Sequence, residues 1–488
     1  MQIDALAQLM AMHPEVDVLS QALSRKRNRH FLLSGLYAST QALILTALRR
    51  QLAIKGLAQP MMIVIDDHDA AQYMFADIKT LIDERDVYFF PCSHRRRQKT
   101  DEALTVQRTE VLSALLNAMH SLEDASLQDG SKTAYSLKAS PIIVTYPEAL
   151  AESVPQPQAL QGKTITLSVG EEIAISQLTE MLLELDFKRV DFVYEPGQFA
   201  VRGGIVDVYS YACDIPVRID FFGDEIDSIR EFELETQLSQ NKVDTISIVA
   251  SSVDEQTMTD ITAYLPQKTL WISNDFSLAE YKIKSSMSVL TTDFLQDAMT
   301  LEMNQKSSFS NYSQIEFDTL PQPTFNKNFD LLTEDLQQRI KDGYKIYILA
   351  DQVKQTDRLK AIFDDKESGI IFTAIDHALH EGFIDNGAKI CCYTDHQIFE
   401  RYHRVSLRSE NARRGKAIIT LKEINQLKVG DYVVHVDHGV GQFAGLVRMP
   451  GANGEQQELI KLVYKNDDVV FVSIHSLHKV SKYKGKEG

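Results

Sequence analysis

Tyr194-Glu195-Pro196-Gly197-Gln198-Phe199-Ala200-Val201-Arg202-Gly203-Gly204-Ile205-Val206-Asp207-Val208-Tyr209, followed after six residues by Pro216-Val217-Arg218-Ile219-Asp220-Phe221-Phe222-Gly223-Asp224-Glu225-Ile226-Asp227-Ser228-Ile229-Arg230, reads as short strands joined by glycine turns. Side chains alternate across a strand, so Val217, Ile219 and Phe221 share one face while Arg218, Asp220 and Phe222 share the other. Phe222 is thereby an aromatic ring on a polar face. An exposed aromatic flanked by arginine has the composition of a protein-binding hot spot, since both residue types bring large area and directed bonds at modest entropic cost. Arg202 sits in the neighbouring strand and, followed by Gly203-Gly204, projects over uncrowded surface. A surface salt bridge beside a half-covered ring is the plainer reading of the same spacing.

On the N-terminal side the texture is different. His30 to Ser34, Met61 to Ile65, Val87 to Phe90 and Ile142 to Thr145 are short apolar runs separated by helical patterns, such as Leu43, Leu45, Leu48 and Leu52 within 39–52. Strands alternating with helices predict a parallel sheet covered on both faces. Pro- and Gln-rich residues 151–162 predict a boundary. The small antiparallel unit is expected over 151–237. Apolar runs at Ile246 to Val249 and Thr269 to Ile272 are expected to return to the first sheet, placing its second part at 238–304. Residues 305–324, rich in Ser, Asn, Gln and Pro, read as a linker. A second α/β unit is expected over 325–404, a linker over 405–426, and a β-rich, glycine-punctuated segment over 427–488. The fold class predicted is multidomain α/β.

The chain has 488 residues, enough for about three domains, with 51 Lys and Arg against 68 Asp and Glu and a net charge of −17. That balance argues against a chain held to nucleic acid mainly by bulk positive charge. The charge is uneven: residues 401–488 hold 15 basic and 9 acidic side chains, a net of +6, which leaves −23 for the rest. The C-terminal segment is thus a candidate for a partner of its own. Four cysteines without C-x-x-C spacing indicate neither a disulfide framework nor a zinc site. With no basic leader and no apolar stretch of about 18 residues, the expectation is a cytoplasmic protein without a membrane partner.

Gly35, at a strand-to-helix junction, invites comparison with the phosphate loop G-x-x-x-x-G-K-[ST]. Thr40 replaces its second glycine, Gln41 the lysine that meets the β- and γ-phosphates, and Ala42 the hydroxyl that holds magnesium. The loop is expected to be degenerate and to support no ATPase. His435 and His438 lack a nearby third ligand and read as strand-end hydrogen bonders, so no metal is expected. The short basic loop Arg95 to Lys99 reads as solvated surface rather than a phosphate contact.

The stretch 194–230 closely resembles the domain shared by the excision-repair protein UvrB and the transcription-repair coupling factor (Mfd) family, with its pattern P-G-Q-F-x-V-R-G-G-I-x-D followed by P-V-R and F-F-G-D-E-I. In that family this domain binds UvrA. The resemblance implies the contact falls on Arg202, Arg218 and Phe222. Thr236-Gln237-Leu238-Ser239 departs from the usual T-Q-R-S, so no arginine role carries over there. The degenerate loop, and a chain that runs from Pro91 to Thr100 without a long tyrosine-rich hairpin, resemble the coupling factors rather than UvrB.

Val429 to Gly445, with Leu459 to Tyr464, Val469 to Ser473 and Leu477 to Tyr483, is similar to the RNA-polymerase-interacting domain of that family, a Tudor-like barrel shared with CarD-type regulators. This implies contact with the polymerase β subunit near Met449 and Leu446. Residues 325–404 resemble the family's third domain, and Tyr264-Leu265-Pro266 also matches. By this resemblance the chain is the N-terminal region of a bacterial coupling factor, a monomer that binds stalled polymerase and recruits UvrA for transcription-coupled nucleotide excision repair. The family's ATP-dependent DNA translocase motor, through which most DNA contact would run, lies beyond these residues. No enzymatic activity, catalytic residue or cofactor is therefore expected here, ATP and magnesium belonging to the motor. The alternative is a UvrB-like DNA-damage-binding ATPase with an unusual loop.

Overall fold

A computed structural model describes residues 3–25, 28–82, 86–93, 102–128, 140–213, 215–234, 236–250, 258–266, 268–286, 288, 290–401, 427–435, 438–450, 456–465, 468–473 and 480–482. The chain divides into two compact units. One holds residues 1–99, 111–157 and 254–407; the other holds 100–110, 158–253 and 408–488. No described helix is long and apolar enough to cross a membrane.

The apolar runs of the first unit are buried because each lies inside a seven-stranded sheet. Its order is Ser313–Glu316, His30–Ser34, Met299–Glu302, Leu270–Ser273, Met61–Val64, Ile142–Thr145 and Val87–Phe90. Every pairing is parallel. Met61–Val64, Ile142–Thr145 and Leu270–Ser273 are buried at every position, as strands covered on both faces must be. The helix Thr40–Ile54 follows the first strand and buries ten of its side chains, Leu43, Leu45 and Leu48 among them. Two N-terminal helices that the sequence reading passed over, Ile3–Ala11 and Pro14–Ser24, pack against it.

Two expectations are corrected here. Residues 305–324 are not a linker: Ser313–Glu316 forms an edge strand of the large sheet, and Thr319–Pro321 pairs antiparallel with Phe383–Asp385. Edge strands are held by backbone bonds while polar side chains face outward, so composition alone reads them as loop. Residues 325–404 form an α/β layer with a core of their own, including Leu332, Leu336, Ile348 and Phe363. Their sheet, in the order Thr319–Pro321, Phe383–Asp385, Ile390–Thr394, Lys345–Leu349 and Thr373–Ile375, belongs to the same unit as the large sheet. The strand expected at Gly369 to Thr373 lies at Thr373–Ile375.

Buried polar contacts join these two sheets. Asp77, on the helix His68–Leu81, accepts from the Ser39 hydroxyl at 2.5 Å and from the His380 backbone N–H at 2.7 Å, and the His380 ring stacks on Tyr73 with centroids 3.5 Å apart. The Ser39 hydroxyl in turn accepts from the Glu381 N–H.

In the second unit, a six-stranded sheet runs in the order Ser239–Val243, Glu225–Phe232, Val217–Phe222, Ile205–Tyr209, Gln198–Arg202 and Lys188–Arg189. Val206, Val208, Val217, Ile219 and Ile229 form one core with Leu178 and Leu182 of the helix Ile175–Glu184. Thr245–Val249 pairs antiparallel with Thr164–Ser168, and Ile246 and Ile248 enter this same core. The expected return of Ile246 to Val249 to the parallel sheet is thereby corrected, and the boundary at 237/238 moves to about 253. An apolar run of five residues carries no label for the sheet it completes.

The C-terminal segment is a five-stranded antiparallel sheet in the order Val469–Ser473, Gln456–Val463, Gly439–Pro450, Tyr432–His435 and Val480–Lys482, with Val433, Phe443, Ile460, Leu462 and Val472 inside. The expected linker 405–426 lies outside the described residues.

Burial pushes the Asp77 carboxyl up to about 7 against the hydrogen bonds from Ser39 and His380. A folded-state value above the ordinary carboxylate value near 4 means that this group's contribution is complete below about pH 4 and is lost as pH rises through about 7. Asp77→Asn should therefore raise the thermal midpoint at pH 8 and change it less at pH 5; an equal offset at both pH values would contradict this.

Candidate functional site

Two glycine turns place the predicted docking residues at one end of the six-stranded sheet. Gly203 and Gly223 have φ of +60° and +68° and each opens a two-residue hairpin connection, where a left-handed residue matches the strand twist. Arg202 immediately precedes the first turn and Phe222 the second. The register sets Arg202 opposite Ile205, Ile205 opposite Asp220, and Asp207 opposite Arg218. Arg218, Asp220 and Phe222 thus share a face while Val217 and Ile219 are in the core, as the alternation predicts.

The ring of Phe222 is 82% exposed, the largest apolar exposure on this sheet among the described residues. Arg218 is held firmly: its Nε donates to Asp207 Oδ1 at 2.7 Å, Nη2 to Asp207 Oδ2 at 3.0 Å, and Nη1 to the Gln237 carbonyl at 3.2 Å. Its guanidinium lies 4.9 Å from the centroid of the Phe232 ring. The hydrogen bond to Asp207 raises the Arg218 pKa above its ordinary value. Arg202 also donates to Asp207 Oδ2 and, through Nη1, to the Asp191 carbonyl at 2.8 Å, with the Phe192 ring 5.0 Å away. Asp207 is fully buried. Sequence reasoning missed it, although it alternates with Val206 and Val208 and so belongs to the arginines' face. Leu238, where the resemblance has an arginine, is 68% exposed.

The loop after Gly35 is built differently from a phosphate cradle. Gly35 has φ +75°, and a Cβ there would stand 1.8 Å from the Phe317 carbonyl oxygen, so glycine is required by the backbone alone. The Tyr37 N–H donates to the hydroxyls of Thr40 and Thr319, and the Thr319 hydroxyl donates to the Gly35 carbonyl at 2.7 Å. Ala42 is buried, while Gln41 lines a cavity of about 360 Å³ together with Gly35, Asp66, Asn274, Asp275 and Gln305. Among the described residues no Lys or Arg lines it, and Lys282, beside it, donates to the Asp66 carbonyl at 2.6 Å. Burial raises the Asp66 pKa, and Asp275 caps the helix Phe276–Ser285 by accepting from the Leu278 N–H. Phosphates placed here would face carboxylates.

In the C-terminal sheet Leu446 is 40% exposed and opposite Ile460, with Val469 and Phe471 also exposed on the edge strand. Met449 pairs with Gln457 in the strand Gly439–Pro450; its side chain and the loop Arg95 to Lys99 lie outside the described residues. The His435 and His438 rings are 4.7 Å apart, and no described group of three His, Cys, Asp or Glu residues is arranged to hold a metal.

Comparison with known proteins finds matches to both regions. The UvrB interaction domain matches residues 165–253, and the CarD-like/TRCF RID domain matches residues 427–484. The transcription-repair-coupling factor of Bacillus subtilis (strain 168) is 22% identical over 94% of this chain and 45% of its own length. The chain is similar to the transcription-repair-coupling factors. That of Staphylococcus aureus (strain USA300) is likewise 22% identical, over 88% of this chain and 43% of its own length. The chain thus spans a little under half the length of the coupling factors it matches. The 165–253 match ends where the structure ends the small unit, after the strand Thr245–Val249.

The geometry separates Phe222 from Arg218 by structural cost. Phe222→Ala should change stability by less than about 0.5 kcal/mol. Arg218→Ala, which strips the buried Asp207 of two hydrogen bonds, should cost about 1–3 kcal/mol. Denaturant unfolding of both variants checks this; equal losses would contradict the assigned roles.

Proposed function

We propose that this chain is a recruitment adaptor of transcription-coupled nucleotide excision repair, docking on RNA polymerase through its C-terminal sheet and on UvrA through Arg202, Arg218 and Phe222. The observation that carries the reading is the presence, in one chain, of a UvrB interaction domain and a CarD-like/TRCF RID domain. The first supports a UvrA-binding surface, the second a polymerase-binding one.

Surface chemistry fits the assignment. A ring as exposed as Phe222 has little to contribute to folding and much to contribute to a partner's pocket. Leu446 and Met449 are the apolar positions assigned to the polymerase β subunit. The whole protein of which this chain would form a part is, on this reading, an ATP-dependent DNA translocase of the bacterial cytoplasm. These residues bind partners and hydrolyse no ATP. Gln41, Ala42 and the carboxylates Asp66 and Asp275 support that, because a triphosphate needs cations and a metal-holding hydroxyl where they stand.

Calorimetric titration against purified UvrA should detect binding by the parent chain and at least about a tenfold loss in Phe222→Ala, the variant that leaves folding unchanged. Unchanged affinity in that variant would refute the surface. The ATPase alternative predicts heat on titration with ATP and magnesium; the adaptor reading predicts none.

A further inference from the structure

A carboxylate buried under a surface that meets a partner through arginines calls for a reason, since desolvating it is costly unless it is fully paired. We propose that Asp207 is the positioning residue of the docking surface, locking the guanidinium groups of Arg202 and Arg218 into one fixed pair aimed at acceptor oxygens of UvrA. This rests on the docking role proposed for the two arginines.

Asp207 has both oxygens engaged. Oδ1 accepts from Arg218 Nε, and Oδ2 accepts from Nη2 of Arg218 and Nη2 of Arg202. Arg218 is thus gripped as a bidentate fork, which fixes the plane of its guanidinium as a single bond would not. The remaining anchors complete the frame: the Gln237 and Asp191 carbonyls, one for each arginine, and the rings of Phe232 and Phe192 beside them. Without the carboxylate, two like charges would repel one another and each long side chain would regain its rotamer freedom.

The stoichiometry also bears on the partner. One carboxylate against two guanidinium groups leaves that trio with a net positive charge, on a face that also carries Asp220, Arg230 and, opposite Phe222, Glu225. A guanidinium carries five N–H groups. Arg218 uses three within the domain and Arg202 two. The donors left over suit carboxylate or carbonyl oxygens beside an apolar socket for Phe222. Asp220 adds a weaker attraction to Arg218, while its Oδ2 accepts from Ser228 at 2.9 Å and lies 3.7 Å from Arg230.

The test uses the full chain titrated with UvrA. Asp207→Asn keeps the shape and removes the charge; it should weaken binding about tenfold or more, but by a clearly smaller factor in an Arg218→Ala background, where only Arg202 is left to position. The same loss in both backgrounds would make Asp207 merely structural and overturn the proposal. So would wild-type affinity of Asp207→Asn where Phe222→Ala has lost binding. Wild-type affinity of Phe222→Ala and Arg218→Ala would instead remove the docking reading itself. If Asp207→Asn does not fold, Arg218→Lys decides: it keeps the charge and loses the fork, so an affinity drop of about tenfold is expected, and full affinity contradicts the proposal.

Discussion

The pairing of one buried carboxylate with two arginines depends on strand register, which the Gly203 turn sets on the Arg202 side and the pairing of Ile205–Tyr209 with Val217–Phe222 sets on the Arg218 side. Gly203 and Gly223 each start a two-residue connection that fixes the strands of its own hairpin close together, with a register shift at Asp220/Phe221 in the second. In that register Asp207 faces Arg218 and lies diagonal to Arg202. A slip of one residue would carry Asp207 into the core among Val206, Val208 and Ile219, an unpaired charge in an apolar cluster. The same interaction therefore penalises misregistration and shapes the outer face.

The parallel sheet shows how a scaffold can keep a motif's first residue without its chemistry. Gly35 stands where a phosphate loop would begin, yet it is demanded by the Phe317 carbonyl, and Thr319 occupies the loop's hydrogen bonds. The glycine thus reports on backbone geometry. Gln41, Ala42, Asp66 and Asp275 report on ligand chemistry, and all four disfavour a triphosphate. Elsewhere the chain offers surface: an exposed aromatic on one sheet and exposed apolar residues on another.

The sequence was most legible where burial imposes a period. The apolar runs at 61–64, 142–145 and 270–273 could only be strands covered on both faces, and the alternation in 217–222 separated core from surface correctly. It was least legible where backbone bonding or a distant partner decides. Ser313–Glu316 looks like linker because edge strands need few apolar side chains. Thr245–Val249 fits either sheet until Thr164–Ser168 is seen beside it. Asp207 is one acid among alternating residues, and its weight comes from two arginines 5 and 11 positions away. Phe222, Arg202 and Arg218 drew notice as a polar-face aromatic with arginines nearby, but their assignment to one contact came from the family resemblance; the cavity beside Gly35 was not legible, since its lining comes from four separate stretches of chain.

The central claim is that one chain serves two partners at once. Mixing it with purified RNA polymerase and UvrA and weighing the assemblies in solution tests that directly. The account predicts a ternary complex containing all three at concentrations where polymerase and UvrA alone do not associate. Complexes with only one partner at a time, or with neither, would contradict it.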